Sequence, residues 1–461
     1  MKRLTLILLL TTSLCLSADW IEQQKILPFD GSEWDSFGLS VSISGDYAVI
    51  GAFRDDDIGS NSGSAYIFQN VGTNWSEQIK LTASDGDIGD FFGESVSISG
   101  DYIVIGATSA DINGSNTGAA YIFHWNGTTW FEQAKLTASD GADGDNFGSS
   151  VSISGDDVLI GAIWDDDNGT HSGSVYIFHR NGTSWTEQEK ITPSDGSEYD
   201  KFGFSVSISG EYAIIGTPYF NNMGKAYIYH KDGTIWNEQA NITSSDETWG
   251  DFFAYSVSID GDYVIIGAWG DEDSGEESGS AYVFHRTGII WDEQTKLTAS
   301  DSFWYDMFGY SVSISGNDII IAAPGESDVG SAYIFHRDLA TWTEQAKIIP
   351  SDGTEFIFFG ISVSISADNI IIGAPDDYVN GESSGSAYIF HNYSVSINDD
   401  EITPVNTSVI GNHPNPFSSR TTISFNVTHT SRFVTIEIYN IKGQKIKSLE
   451  CNICDVAETT R

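Results

Sequence analysis

The chain repeats one unit seven times, and the seventh copy is divided between its two ends. An FG-type pair falls at Phe37, Phe92, Phe147, Phe202, Phe253 (followed by Ala254), Phe308 and Phe359, at intervals of 55, 55, 55, 51, 55 and 51 residues. A GSAYIF-like phrase recurs from Gly63 to Gly385 at intervals of 55, 55, 51, 55, 51 and 55 residues. Self-similarity at such a period makes each unit one supersecondary module that buries its apolar faces only against its neighbours. Within a unit, "SVSIS" alternates small polar and apolar residues at a strand's period of two. A "GD" turn leads to a nearly continuous β-branched run such as "YVIIGA", then an acidic connection, "GSAYIFH", a short turn and "WTEQEKI". Helical periodicity is absent. Four antiparallel strands per unit, seven times over, predict an all-β chain folded as a seven-bladed β-propeller. The rival, a β-solenoid, has shorter rungs and no need to close.

The split copy supports closure. A "WxEQ" phrase, followed two residues later by lysine in all but the Trp236 copy, ends six units, at Trp75, Trp130, Trp185, Trp236, Trp291 and Trp342, but the seventh runs from "GSAYIFH" into "NYSVSIND" without it. The spare copy, "WIEQQKIL" at Trp20–Leu27, opens the chain instead. Pairing it with the last unit closes the ring and removes the free edges that open sheets must protect. Small residues fit the crowded centre: serines alternate along the first strand, and Gly51, Gly106, Gly161, Gly216, Gly267 and Gly373 sit where a side chain would obstruct the next blade. The Tyr, Phe and Trp residues of the outer strands read as packing between blades.

Ahead of Trp20, Lys2 and Arg3 precede a short apolar run, the pattern of a secretory signal peptide cleaved after Ser17 or Ala18. No later stretch is long enough to span a membrane. The formal net charge of −44 repels a phosphate backbone and excludes nucleic acid as a partner. Beyond the signal only Cys451 and Cys454 remain, as "CNIC". Such a pair suits a redox couple, half a zinc site or a disulfide, and its place at the end of the chain favours a disulfide or an incidental pair.

The acids cluster in two connections on one face. Between second and third strands stand Asp55, Asp56 and Asp57, then Asp165, Asp166 and Asp167, then Asp271, Glu272 and Asp273. Between blades, an Asp precedes the FG phenylalanine by two residues at Asp35, Asp90, Asp145, Asp200, Asp251 and Asp306. Oxygen-rich loops with glycine hinges suit calcium, the one cofactor this pattern offers; the alternative is that the acids cap turns. Three residues before the FG position, three blades carry Gly89, Gly144 and Gly250, and four carry Trp34, Tyr199, Tyr305 and Phe356. Trp304, Phe358, Trp249, Tyr219 and Phe220 lie close by in sequence. Flat apolar rings beside hydrogen-bond acceptors are what a protein or glycan ligand needs. Trp34, Trp304, Tyr305, Phe356 and Phe358 are the candidate ligand-binding residues, at blades six, seven and one, with Asp35, Asp306, Asp376 and Asp377 as acceptors. On the other face His124, His179, His230, His285, His336 and His391 read as exposed hairpin ends.

The phrases "FGxSVSISGDY", "IIGA" and "GSAYIF" resemble the FG-GAP repeats of integrin α-subunit propellers and their bacterial relatives, over roughly residues 20 to 391. In that family calcium binds a D-x-D-x-D-G loop between first and second strands. Here that connection is only "SGDY" or "SGND", so those sites do not carry over. The resemblance places ligand contacts on the acidic face. After a linker over 392–410, "HPNPF" (His413, Pro414, Asn415, Pro416, Phe417) resembles the hallmark of the type A sorting domain of bacterial type IX secretion, a small β-sandwich-like domain. It spans 411–461 here, shorter than the family pattern. The resemblance implies residues 1–18 as signal, 19–391 as propeller, and a secreted or surface-attached binding protein whose partners are the secretion machinery and an extracellular protein or glycan. No catalytic set breaks the period, so the expected role is non-catalytic adhesion. A polysaccharide-acting enzyme with its acids on the acidic face is the alternative.

Overall fold

The computed structural model describes residues 20–393 except 113, 247 and 354, together with strands Ile7–Thr11, Ser408–His413, Thr422–Asn426, Phe433–Tyr439 and Lys445–Asn452. The rest of the expected signal, most of the linker, Pro414–Phe417 and Cys454 lie outside the described residues. The chain divides into two compact units, Trp20–Asn392 and the two ends. In the second unit Ile7–Thr11, Phe433–Tyr439 and Lys445–Asn452 form one antiparallel sheet, and Ser408–His413 pairs with Thr422–Asn426. Among the described residues no helix is long and apolar enough to cross a membrane.

The first unit is a propeller of seven four-stranded antiparallel blades. Blade one comprises Val41–Ser44, Tyr47–Ala52, Ser64–Val71 and Asn74–Leu81, from centre to rim. The next five repeat that order along the chain. Blade seven comprises Val363–Ser366, Asn369–Ala374 and Ser386–Asn392, completed by Trp20–Ile26. Trp20 lies opposite Asn392 and Ile26 opposite Ala387, so the opening strand closes the last blade as its sequence requires. The core lies between blades. One cluster joins Ile26, Ile371 and Ile389 of blade seven to Phe37, Ile50, Tyr66 and Trp75 of blade one.

Each letter of the W-x-E-Q-x-K phrase has a separate task. A bulge between Glu22 and Gln24 leaves Gln23 out of the ladder, and bulges re-aim side chains. Gln23 Oε1 then accepts from Trp75 Nε1 in blade one at 3.1 Å. The same link joins Gln133 to Trp185, Gln239 to Trp291 and Gln294 to Trp342. The glutamate reaches the other way: Glu22 accepts from Ser351 N and Oγ, both at 2.8 Å. Glu132, Glu187, Glu293 and Glu344 cap the equivalent serines.

The serines of the first strand do more than save space. Ser42 Oγ accepts from Ile98 N, Ser97 from Ile153, Ser152 from Ile208, Ser207 from Ile259, Ser258 from Ile314, Ser313 from Ile365 and Ser364 from Ile43, at 3.1–3.2 Å. The chain of hydroxyls runs around the axis and returns to its start. It satisfies innermost N–H groups that have no ladder partner, and a buried orphan of that kind costs about 1–3 kcal/mol. Glycine in the second strand is a steric need: a Cβ at Gly51 would lie 1.9 Å from Gly93 O in the next blade.

Candidate functional site

The connections between second and third strands and those between blades interlock on one face. Phe91 N donates to Asn61 O and Phe92 N to Ser62 O, and Phe37 N donates to Ser384 O across the closing junction. The acids there gather around lysines of the repeat itself. Lys80 Nζ lies 3.0 Å from Asp30 and 2.7 Å from Asp55, and also pairs with Asp57. Lys190 holds Asp140, Asp165 and Asp167 at 2.8, 2.8 and 2.5 Å. Lys296 holds Asp246, Asp271 and Asp273 at 2.7, 2.8 and 2.5 Å.

The tyrosine of GSAYIF completes each knot: Tyr66 Oη donates to Asp30 at 2.9 Å and lies 2.8 Å from Asp55. Burial lifts the Asp30 carboxyl, but Lys80 and the Tyr66 hydroxyl outweigh it and hold the group below its usual range. Burial also opposes the Lys80 ammonium, yet Asp55, Asp57 and Asp30 hold it above its ordinary value. Oxygens of Asp246, Asp271 and Asp273 converge within 4.8 Å of one another, close enough for one cation. The Lys296 ammonium sits among them, so a calcium ion would have to displace it. Asp56 and Asp166 do not join these knots; each accepts a loop N–H, from Asn61 and His171, at 2.6 Å.

The inter-blade acids are structural. Asp35, Asp306 and Asp377, expected to accept from a ligand, are only 4, 3 and 1 % exposed. Asp35 accepts from Ser32 N at 2.6 Å and Asp306 from Phe303 N at 2.6 Å, while Lys25, Ser386 and Tyr388 engage Asp377. The turn geometry draws the carboxylate inward, where it caps its own loop. Burial pushes both Asp35 and Asp306 up to about 6, against the loop N–H each accepts. Of the four expected acceptors, Asp376 alone is partly open to solvent.

The aromatics behave in the opposite way. Trp34, Tyr199, Tyr305 and Phe356 have φ of 73°, 68°, 67° and 60°, where the other three blades place Gly89, Gly144 and Gly250 at 81°, 86° and 95°. Left-handed backbone is free for glycine and rare for a bulky side chain. These four side chains are nonetheless 48, 55, 45 and 56 % exposed. Trp304 is exposed too, its ring resting on Gly275, where a Cβ would lie 1.9 Å from the indole. Phe358 joins Ser36, Leu39, Phe53, Arg54, Ile361, Pro375 and Asp376 around a cavity of about 300 Å³ at the junction of blades seven and one.

Two features here escaped the sequence. Phe204, Tyr219, Phe252, Tyr255, Trp269 and Tyr310 interlock across blades four to six, Phe252 stacked on Trp269 at 4.9 Å and Tyr255 tilted against Tyr310 at 4.9 Å. Glu94 breaks the period: burial raises its carboxyl, which the Thr108 hydroxyl and, more weakly, Arg54 pull part of the way back.

The opposite face is occupied by its own contacts, and its histidines are half-buried rather than exposed. His124 stacks on Tyr102 at 4.3 Å and His285 on Tyr263 at 4.4 Å. His179 meets Asp157 at 2.8 Å, and His336 meets Asp318 at 2.7 Å. Arg180, Arg286 and Arg337 lie over Tyr102, Tyr212 and Tyr263 of neighbouring blades.

The model of the FG-GAP repeat matches seven segments: 20–68, 75–123, 130–178, 185–229, 236–284, 291–335 and 342–390. The model of the secretion system C-terminal sorting domain matches 413–460, which marks export through type IX secretion to the cell surface or beyond. Human integrin alpha-D is 24 % identical over 213 residues, 41 % of this chain and 18 % of that protein, so the chain spans under a fifth of this relative's length. Among solved structures, Sqt1 of Saccharomyces cerevisiae aligns over 94 % of this chain and all of its own, at 11 % identity and a TM-score of 0.43. A Bacteroides fragilis protein described as a 6-phosphogluconolactonase aligns over 68 % of this chain and 84 % of its own, at 11 % identity and a TM-score of 0.46. The chain belongs to the FG-GAP repeat family, as an exported seven-bladed propeller that carries a secretion-system C-terminal sorting domain.

Proposed function

We propose that this chain is a non-catalytic adhesion propeller that binds an extracellular glycan on the acidic face, at the sector formed by blades six, seven and one. One observation carries the reading: bulky aromatics occupy a left-handed position that glycine fills in the other blades, and their rings stay in solvent. Left-handed backbone costs a side chain about 1–2 kcal/mol, and an exposed ring recovers little of that by burial. Strain held at a surface position points to what the residue presents. Flat rings stack on sugars, and Asp376 beside Arg54 offers an acceptor and a donor for hydroxyls. Self-satisfied contacts on the opposite face leave it little to offer a ligand.

The test is binding of the purified full chain to arrays of neutral oligosaccharides and of extracellular proteins. Alanine at Trp34 and at Trp304 should each weaken glycan binding by about tenfold or more, with unchanged melting. If both substitutions are silent, or only proteins bind, the reading fails.

A further inference from the structure

One lysine of the propeller stands outside every carboxylate knot. Lys25, Lys80, Lys135, Lys190, Lys225, Lys231, Lys296 and Lys347 each lie within ion-pair distance of an acid. Among the described residues of the propeller, Lys201 alone of the lysines has none. It immediately precedes Phe202 of the FG pair, a position that the other blades fill with Ser36, Phe91, Asn146, Phe252, Met307 and Phe358. All seven are left-handed there, Lys201 at φ 55°, so the backbone fixes where the side chain starts.

Rings surround it. The ammonium lies 5.3 Å from the Trp164 ring centre and 4.5 Å from that of Tyr219, one in blade three and one in blade four. His171 packs on Trp164 at 4.5 Å and meets Tyr199 edge-on at 5.6 Å. Lys201 N donates to His171 O at 3.2 Å, so the loop that brings His171 also anchors the lysine. Burial against these rings lowers the Lys201 ammonium from its ordinary value. A cation held between rings without a counter-ion, in a chain of net charge −44, retains its full capacity for an anion.

We infer that Trp164, His171, Tyr199, Lys201 and Tyr219 form a second ligand site, at the junction of blades three and four, for a sugar bearing one carboxylate. Lys201 takes the carboxylate, and the faces of Trp164 and Tyr199, 40 and 55 % exposed, take the sugar ring. A polyanion is disfavoured by the field of so acidic a chain, which a single carboxylate on a neutral glycan largely escapes. Open ring faces suit a pyranose better than a peptide, whose side chains need pockets to anchor in. The site rests on the reading of this face as the binding face, but not on the sector of blades six, seven and one.

The experiment compares the full chain's affinity for an oligosaccharide ending in glucuronic acid with that for the same oligosaccharide ending in glucose. A charge-assisted contact should favour the acid by about tenfold. Lys201→Met should abolish the preference, Lys201→Arg should retain it, and Trp164→Ala should weaken both sugars. Trp34→Ala and Trp304→Ala should leave the preference intact, which separates this site from the other. Equal affinity for the two sugars, no binding of either, a preference that survives Lys201→Met, or stronger binding of a peptide C-terminal carboxylate would each overturn the proposal. Should Lys201→Met fold poorly, Lys201→Arg and Trp164→Ala still decide it.

Discussion

Lys225 Nζ stands 2.6 Å from Asp195 Oδ2 in blade four, whose outer strand carries Asn241 where the other six carry a lysine. The lysine has moved to the neighbouring strand, into the place of the GSAYIF serine, and reaches the same inter-blade aspartate. Tyr227 Oη donates to that carboxylate at 2.6 Å, as its counterparts do elsewhere. Lys225→Met should therefore destabilise the propeller by about 1–2 kcal/mol, discounted for the half-exposed aspartate. Adding Asn241→Lys should recover most of the loss in a urea titration; a double variant no more stable than the single one contradicts the exchange.

Lysine rather than calcium neutralises the loop acids in this geometry, so a chelator should leave the melting temperature unchanged. Lys296→Met leaves Asp246, Asp271 and Asp273 facing one another. That variant should melt lower than the parent and regain stability when calcium is added. Parent protein that loses stability in chelator would show a resident ion instead.

Stability should fall from mildly acidic to neutral pH. Asp35 and Asp306 have folded values raised to about 6, above the ordinary carboxylate range. A raised value means that the folded state holds the proton more tightly. The stability it contributes is present below the unfolded value of about 4 and is lost as pH rises through 6. Asp30, Asp85 and Asp140 act in the opposite sense: their lowered values give stability that disappears as pH falls. The maximum should therefore lie at mildly acidic pH, and Asp306→Asn should flatten the decline above it by about 1–2 kcal/mol. Denaturation midpoints measured from about pH 5 to pH 8 read this directly.

Removing residues 20–27 should unfold or oligomerise the propeller, because blade seven loses its outer strand, Lys25 and both reaches of the Glu-Gln pair. Light scattering and thermal melting check it. A monomer with unchanged melting would refute ring closure by this strand.

Removing residues 411–461 should leave the melting of the propeller unchanged and abolish export. The first unit, Trp20–Asn392, is compact by itself. Loss of stability in the truncated protein would mean that the boundary lies elsewhere.

Blade number, strand order and closure were legible because they follow from period and alternation, which survive translation into any side-chain contact. Exposure of Trp34 and its counterparts was legible in part, through their exchange with glycine. The fate of Asp35 and Asp306 was not. Sequence places an acid in a loop, but only the turn decides whether it faces water or its own N–H groups. Ser42 looked merely small, because its hydrogen bond to Ile98 is made to another blade. Lys201 did have a signal, as the one basic residue at its position in seven units, but a lone lysine carries no meaning until its neighbours prove to be rings.

The closing strand also sets an order in time. Glu22 and Ser351 are 329 residues apart in sequence, and bringing such distant segments together costs about 5 kcal/mol of chain entropy. Six blades hairpin locally and need no such meeting. Trp20–Ile26 must therefore wait, unpaired, until Ser386–Asn392 has emerged, and a chain interrupted earlier keeps an exposed sheet edge open to proteases. The clasp acts as a check on length, because only a chain complete through Asn392 can shut.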